Sequence, residues 1–194
     1  IGIDYPECTT FPQKVEKACW FFRMDFPANG ANNTYLKREK KVPNPEPQDH
    51  TQQVETELSQ VGAGGPYFES RGVSLETCQK YHLYEKDGRA WLPVYQQGRC
   101  VSRCGRAIDS GDPCRYLNSP GPMGIFNGDY LLEEGQGAPL FVTEAIFDAL
   151  SVEECGYRAV ALCGVSNIRK FLELCREHPD AANSYTIIGA GDGD

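Results

Sequence analysis

Between Pro139 and Asp194 the chain alternates short apolar runs with helix-period stretches, and few folds accommodate that rhythm. Leu140 to Glu144 is an apolar run ending in a carboxylate. Ala145 to Cys155 follows with apolar residues at Ile146, Ala149, Leu150 and Val152, and Gly156 offers a left-handed C-cap. Arg158 to Cys163 repeats the strand, Ser166 can cap the next helix, and Ile168, Phe171, Leu172 and Cys175 share one face of it. Tyr185 to Ile188 is a third strand leading into Asp192-Gly193-Asp194. This order predicts an α/β domain with a parallel sheet and right-handed crossovers.

In such sheets, chemistry gathers at the carboxyl ends of the strands, where the strand-to-helix turns open. Glu144 ends the first strand, Asp148 follows at i+4, and the third strand runs to Asp192 and Asp194. No Lys or Arg lies between Pro139 and Arg158 to neutralise them. A cluster of four carboxylates suits Mg²⁺ or Mn²⁺. A lone Glu-x₃-Asp on a helix is ordinarily surface charge, since acids favour a first turn. The Asp-Gly-Asp on a third strand moves the reading to a metal site.

Glu144-Ala-Ile-Phe-Asp148, followed by strand, helix and Asp192-Gly-Asp194, resembles the TOPRIM domain of bacterial primases, topoisomerases and some nucleases. Upstream, Tyr67 to Cys78, Gly88 to Tyr95, Ser102 to Arg106 and above all Arg115-Tyr-Leu-Asn-Ser-Pro120 resemble, in order, the RNA-polymerase core of bacterial DnaG-type primases. The resemblance spans Pro66 to Asp194. It implies a small mixed α+β subdomain followed by a TOPRIM domain, truncated here at its third strand. The expected division is an N-terminal helix and linker at 1–60, a primase subdomain with a basic strip at 61–138, and the incomplete TOPRIM domain at 139–194.

The chain departs from the family pattern in three places. Ala145 stands where a glycine usually follows the TOPRIM glutamate, so the turn is expected to be restricted. Asn127-Gly128-Asp129 stands where a basic residue often follows Phe126, removing one expected phosphate contact. The family's last acidic pair falls beyond Asp194.

The net charge of −8 argues against a generally basic nucleic-acid wrapper. Yet Arg89, Arg99, Arg103 and Arg106 fall in a window without any carboxylate. Such a strip reads either as a solvated face or as a grip on a phosphate backbone. Nine cysteines without a CxxC pair, and no secretory segment or long apolar span, fit reduced thiols in the cytoplasm and no membrane. Cys100, Cys104 and Cys114 lack the spacing of a zinc ribbon.

With 194 residues and 40% apolar content, one or two modest domains with a real core are expected. The first residue is Ile and the last falls inside a motif, so the chain reads as part of a longer protein. Thr10 and Pro12 open a helix with Val15, Ala18, Cys19 and Phe22 on its buried stripe. Residues 28 to 60 lose periodicity, Asn44 to Pro47 reads as a linker, and Lys37 to Lys41 as a solvated run. Gly62 to Pro66 is a hinge-like break, Ser74 caps a helix from Leu75 to Tyr81, and Gln97-Gly98 joins strands Arg89–Tyr95 and Val101–Ile108. The cleft between the subdomains is the expected template path.

The resemblance implies metal-dependent synthesis of short RNA primers on single-stranded DNA from ribonucleoside triphosphates. Glu144, Asp192 and Asp194 are the expected catalytic residues, and with Asp148 the metal ligands. Arg103, Arg106 and Arg115 match the family's basic segment, with Arg89, Arg99 and Asn118 as further nucleotide or strand contacts. A replicative helicase, fused or recruited, is an expected partner, and zinc is expected only in a preceding domain. Two other classes remain: a TOPRIM nuclease or topoisomerase using the same acids, and a non-catalytic DNA-binding module of a phage or plasmid replication protein.

Overall fold

The computed structural model describes residues 48–191. The helix expected from Thr10 to Phe22, the charged run Lys37 to Lys41, the linker Asn44 to Pro47, and Asp192 and Asp194 lie outside the described residues.

Four antiparallel strands form the first sheet: β1 (Tyr84–Lys86), β2 (Arg89–Gln96), β3 (Arg99–Ala107) and β4 (Tyr116–Asn118), in the order β1-β2-β3-β4. Gln97-Gly98 makes the expected turn between β2 and β3, with φ of 49° and 76°. Positive φ at both positions matches the twist of the paired strands. Trp91 faces Gly105 across the ladder, and a Cβ on Gly105 would stand 2.9 Å from the indole ring. The glycine is therefore what lets the indole lie flat against β3.

Residues 51 to 60, expected to lack periodic structure, instead belong to helix α1 (Thr51–Val61). Its only buried residue is Val54, which packs with Tyr84, Trp91 and Cys100. Leu58, one turn on, is only partly buried against the same cluster and Val61 is exposed, so the apolar stripe is short and among polar residues hard to see. The glycines of the 62–66 break are pinned rather than hinge-like. Gly64 N–H donates to the Leu83 carbonyl at 2.8 Å. Gly65, at φ 147°, leaves room for the Glu85 carboxylate, which accepts from the backbone N–H of Tyr67 at 2.7 Å and Phe68 at 3.3 Å. Glu85 thus caps α2 (Pro66–Ser70) from a distant strand. Ser74 caps α3 (Leu75–Lys80) as expected, accepting from Thr77 N–H.

The second sheet is parallel, in the order β6-β5-β7: β5 (Pro139–Thr143), β6 (Arg158–Ala161) and β7 (Thr186–Ala190). Helix α4 (Ile146–Glu154) connects β5 to β6, while α5 (Ile168–Glu177) and the short α6 (Pro179–Asn183) connect β6 to β7. Gly156 closes α4 with φ 80°. Ile168, Phe171, Leu172 and Cys175 are all buried, as their spacing predicts. Ser166 does not cap α5. A 3₁₀ turn (Val165–Asn167) intervenes, and Asn167 takes the N-cap position while donating through Nδ2 to the Leu162 carbonyl at 2.8 Å.

The two sheets share a core. Phe68, Val73, Leu83, Leu92 and Val94 from the first pack in one cluster with Phe126, Phe147, Leu150 and Ala159 of the second. The connecting segment is stitched to both: Gly124 N–H donates to Ser102 Oγ at 2.9 Å, and Phe126 and Ala161 exchange backbone hydrogen bonds at 3.0 and 3.1 Å.

Two adjacent carboxylates at the end of α4 complete the joint. Glu154 accepts from Ser74 N–H at 2.8 Å and its hydroxyl at 2.9 Å, at the start of α3. Glu153 accepts from Lys80 Nζ at 3.0 Å and the Tyr81 hydroxyl at 2.5 Å, at its end. Glu153 also lies 3.1 Å from the Tyr130 hydroxyl and accepts from Ala159 N–H at 2.9 Å. Its side chain is 7% exposed, and this ring of donors satisfies it.

Candidate active site and nucleic-acid face

Glu144 follows directly on the carboxyl end of β5, the central strand of the parallel sheet. The turn is held by the preceding residue: the Thr143 carbonyl accepts from Leu162 N–H at 2.9 Å, and its hydroxyl lies within 3.2 Å of the Val160 and Ala145 carbonyls. Ala145 occupies the N-cap of α4 at φ −114°, ψ 154°. That extended conformation is open to any L-residue, so the absence of glycine there imposes no restriction. Glu144 therefore lies at the strand end rather than on the helix, and Asp148 projects from the first turn of α4.

On the other side of β5, Thr143 pairs with Ala190 of β7 in parallel register. β5 and β7 therefore end level with each other at one edge of the sheet, the edge that Glu144 follows. Among the described residues no group of three or more His, Cys, Asp or Glu could hold a metal ion. Glu144 and Asp148 supply hard oxygen donors, which fit Mg²⁺ or Mn²⁺ as part of a larger set. Asp192 and Asp194, the other expected ligands, lie outside the described residues.

The basic strip is divided by the sheet. Arg103 and Arg106 are three residues apart on β3, so their side chains leave opposite faces. Arg103 meets α1: its Nη1 lies 2.6 Å from Glu57 Oε2 and donates to the Tyr84 hydroxyl at 3.0 Å, while its guanidinium sits 4.3 Å from the Trp91 ring centre. Burial pushes the Glu57 carboxyl up, but hydrogen bonds from Tyr84 and Arg103 and the charge of Arg103 outweigh it and hold the carboxyl below its ordinary value. Tyr84 is pushed up past its normal range by burial and by Glu57.

Arg89 is likewise paired, with Asp112 at 2.9 Å, and donates to the Cys114 carbonyl at 2.9 Å. It ties down the loop between β3 and β4. Arg99 is exposed at the start of β3.

Arg106 looks the other way. Its Nε donates to the Tyr67 hydroxyl at 2.6 Å, and its Nη1 to the Tyr116 hydroxyl. Its guanidinium lies 5.9 Å from the ring centre of Phe147, the residue before Asp148. Arg71 lies over the same ring at 5.2 Å. Arg115 and Asn118 are exposed on and beside β4. Arg106 and the Phe147 end of α4 are therefore on one side of the first sheet, and Arg103 and Glu57 on the other.

The aromatic residues around Arg106, namely Tyr67, Tyr116 and Phe147, and the neighbouring Arg71 were not singled out from sequence. The signal was present for Tyr116, which lies inside the Arg115 to Pro120 motif and opposite Arg106 in the ladder. Arg71 and Phe147 also lie inside motifs, Tyr67 to Cys78 and Glu144 to Asp148, but their meeting could not be read because it joins separate elements.

Asn127, where the resemblance leads one to expect a basic residue nearby, adopts φ 56°, ψ 23°, a left-handed conformation that Asn tolerates, and donates through Nδ2 to the Ala159 carbonyl at 3.0 Å. Its role here is to lock the connecting segment onto β6.

Neither protein-family models nor curated proteins match this chain. Among solved structures it is similar to the primase fragment of the bacteriophage T7 primase-helicase protein, at 26% identity over 71% of this chain, with a TM-score of 0.50. It is also similar to a chain of the T7 lagging-strand DNA polymerase complex with primase domains, an RNA/DNA hybrid and dTTP, at 27% identity, 69% coverage and a TM-score of 0.48. A third likeness is to the DnaG primase catalytic domain bound to single-stranded DNA, at 18% identity, 76% coverage and a TM-score of 0.45. The chain spans 57%, 62% and 68% of those three chains, respectively. The antiparallel sheet followed by the three-stranded parallel sheet thus makes a fold similar to that of part of the T7 primase fragment.

Proposed function

We propose that this chain is the catalytic core of a primase, synthesising short RNA primers on single-stranded DNA. The observation that supports it best is the register of the parallel sheet, in which β5 leads into Glu144 and β7 ends level with it at Ala190, two positions before Asp192 in the sequence. That arrangement occurs on a fold shared with a phage primase fragment.

Glu144, Asp148, Asp192 and Asp194 would hold one or two Mg²⁺ or Mn²⁺ ions. Bound there, the metal would align the attacking hydroxyl and neutralise charge on the transferring phosphate. Of the arginines, Arg106 and Arg115 attend Tyr116 on the side suited to strand or nucleotide phosphates, with Asn118 exposed on the same strand and Arg99 exposed at the other end of β3. Arg89 and Arg103 hold intramolecular carboxylates. Ribonucleoside triphosphates and a replicative helicase are the partners this reading entails.

The test is incubation with circular single-stranded DNA, labelled ribonucleotides and Mg²⁺ or Mn²⁺, beside Glu144→Gln. The parent is expected to make short RNA, and the variant to make about 10²- to 10⁴-fold less. Nicked DNA without RNA would instead identify a nuclease. Binding without either product would identify a DNA-binding module.

A further inference from the structure

We infer that Tyr116 is a stacking platform for a nucleobase, held in place by Arg106 and flanked by Arg115. The identity of that base as part of a template strand or incoming nucleotide rests on the primase reading. The platform itself rests on geometry. Tyr116 is 49% exposed on β4, the edge strand of the antiparallel sheet, and Leu117 beside it is 45% exposed. Such a ring ordinarily turns freely in solvent. Here its hydroxyl accepts a hydrogen bond from Arg106, and Arg106 is itself fixed by donating to Tyr67. The ring is therefore oriented before any ligand arrives, which lowers the entropy lost on binding.

Two guanidinium groups attend it, Arg106 at 5.2 Å and Arg115 at 5.8 Å from the ring centre. An exposed aromatic ring beside one fixed cation, Arg106, and one exposed cation, Arg115, is the combination that receives a base and its phosphate without reading sequence. The ladder places Asn118 two residues on from Tyr116, on the same face, opposite Cys104 as Tyr116 is opposite Arg106. That face also meets Phe147, at the start of the helix that follows Glu144. A base on Tyr116 would thus lie on the side of the sheet against which the first turn of that helix packs.

The experiment measures binding without metal or turnover. Labelled oligo-dT and ATP are titrated separately into the parent, Tyr116→Ala, Tyr116→Phe and Tyr116→Trp. Loss of the ring is expected to weaken binding about 5- to 100-fold, given the usual worth of one base–aromatic stack. Phe, which keeps the ring, is expected to stay within about threefold of the parent, and the fluorescence of the Tyr116→Trp variant is expected to be quenched by the bound probe.

Weakening toward oligo-dT alone assigns the platform to the strand, and toward ATP alone to the incoming nucleotide. Should Tyr116→Ala bind both probes as the parent does, the inference is overturned. Should that variant fail to fold, an added-indole emission in Tyr116→Trp that neither probe changes overturns it instead. A parent that makes no RNA while Tyr116→Ala loses DNA affinity would sink the primase reading and leave the platform standing.

Discussion

The two faces of β3 employ the same residue type to opposite ends. On one face Arg103 is 11% exposed and enclosed by Glu57, Tyr84 and Trp91, so its charge is spent inside the protein. On the other, Arg106 is held by phenol hydroxyls and ring faces, which orient a guanidinium without neutralising it. A carboxylate partner makes an arginine into a brace, whereas tyrosine partners leave it a cation aimed at something else. Counting arginines along a strand therefore overstates a binding strip unless parity and partners are known.

Replacing Arg103 by Ala is the harshest way to probe the contrast. It takes the arginine from a Glu57 side chain that is 15% exposed, leaving it chiefly the Tyr84 hydroxyl, and denaturant unfolding is expected to show a loss of about 3 kcal/mol. DNA binding per folded molecule should keep its salt dependence; a shallower slope would mean that Arg103 also meets phosphate. Next in size, Gly105→Ala thrusts a Cβ into the Trp91 ring on which Arg103 rests, and is expected to cost about 2 kcal/mol in the same assay. An unchanged midpoint would show that the indole can move aside.

Arg106→Ala should cost less than about 1 kcal/mol, since no carboxylate is orphaned. Its effect should appear instead as weaker single-stranded DNA binding, with the slope of log affinity against log salt reduced by about one. Unaltered binding would erase the distinction between the two faces.

The smallest effect is one of pH. Because Glu57 is held below its ordinary value in the folded chain, its contribution is complete above the unfolded carboxyl's pKa. That contribution is lost as pH falls through the lower folded value. Unfolding midpoints of Glu57→Gln and parent should therefore converge in acid, and a constant gap would deny the pairing its role.

Much of the parallel half could be read directly, because Ile168, Phe171, Leu172 and Cys175 announce a buried helical stripe and Gly156 a helix end. The Gln97-Gly98 turn and the Ser74 cap were equally local. What escaped was long-range or thinly encoded. Helix α1 rests on Val54, the half-buried Leu58 and the distant partners of Glu57, the 62–66 break is fixed by Glu85, eighteen residues from the Tyr67 amide it receives, and Asp112 claims Arg89 from across a loop. The candidate carboxylates were half legible: Glu144 is where the strand pattern put it, while its relation to Asp148 is set by a helix that begins only at Ile146. The arginine strip needed only the strand's two-residue period to be separated into faces.

The pair Glu153 and Glu154 has a consequence for how the chain comes together. Helix α3 is too short to persist by itself, and the carboxylates that grip its two ends lie 80 and 73 residues further along the chain than the groups they hold. We expect α3 to remain unsettled while the antiparallel sheet forms and to gain protection only with α4, so that amides of residues 75–80 and 146–154 become exchange-resistant in one step. Pulse labelling during refolding would reveal this, and early protection of α3 alone would refute it. On this account a helix synthesised well before its partners is among the last parts of the molecule to know its place.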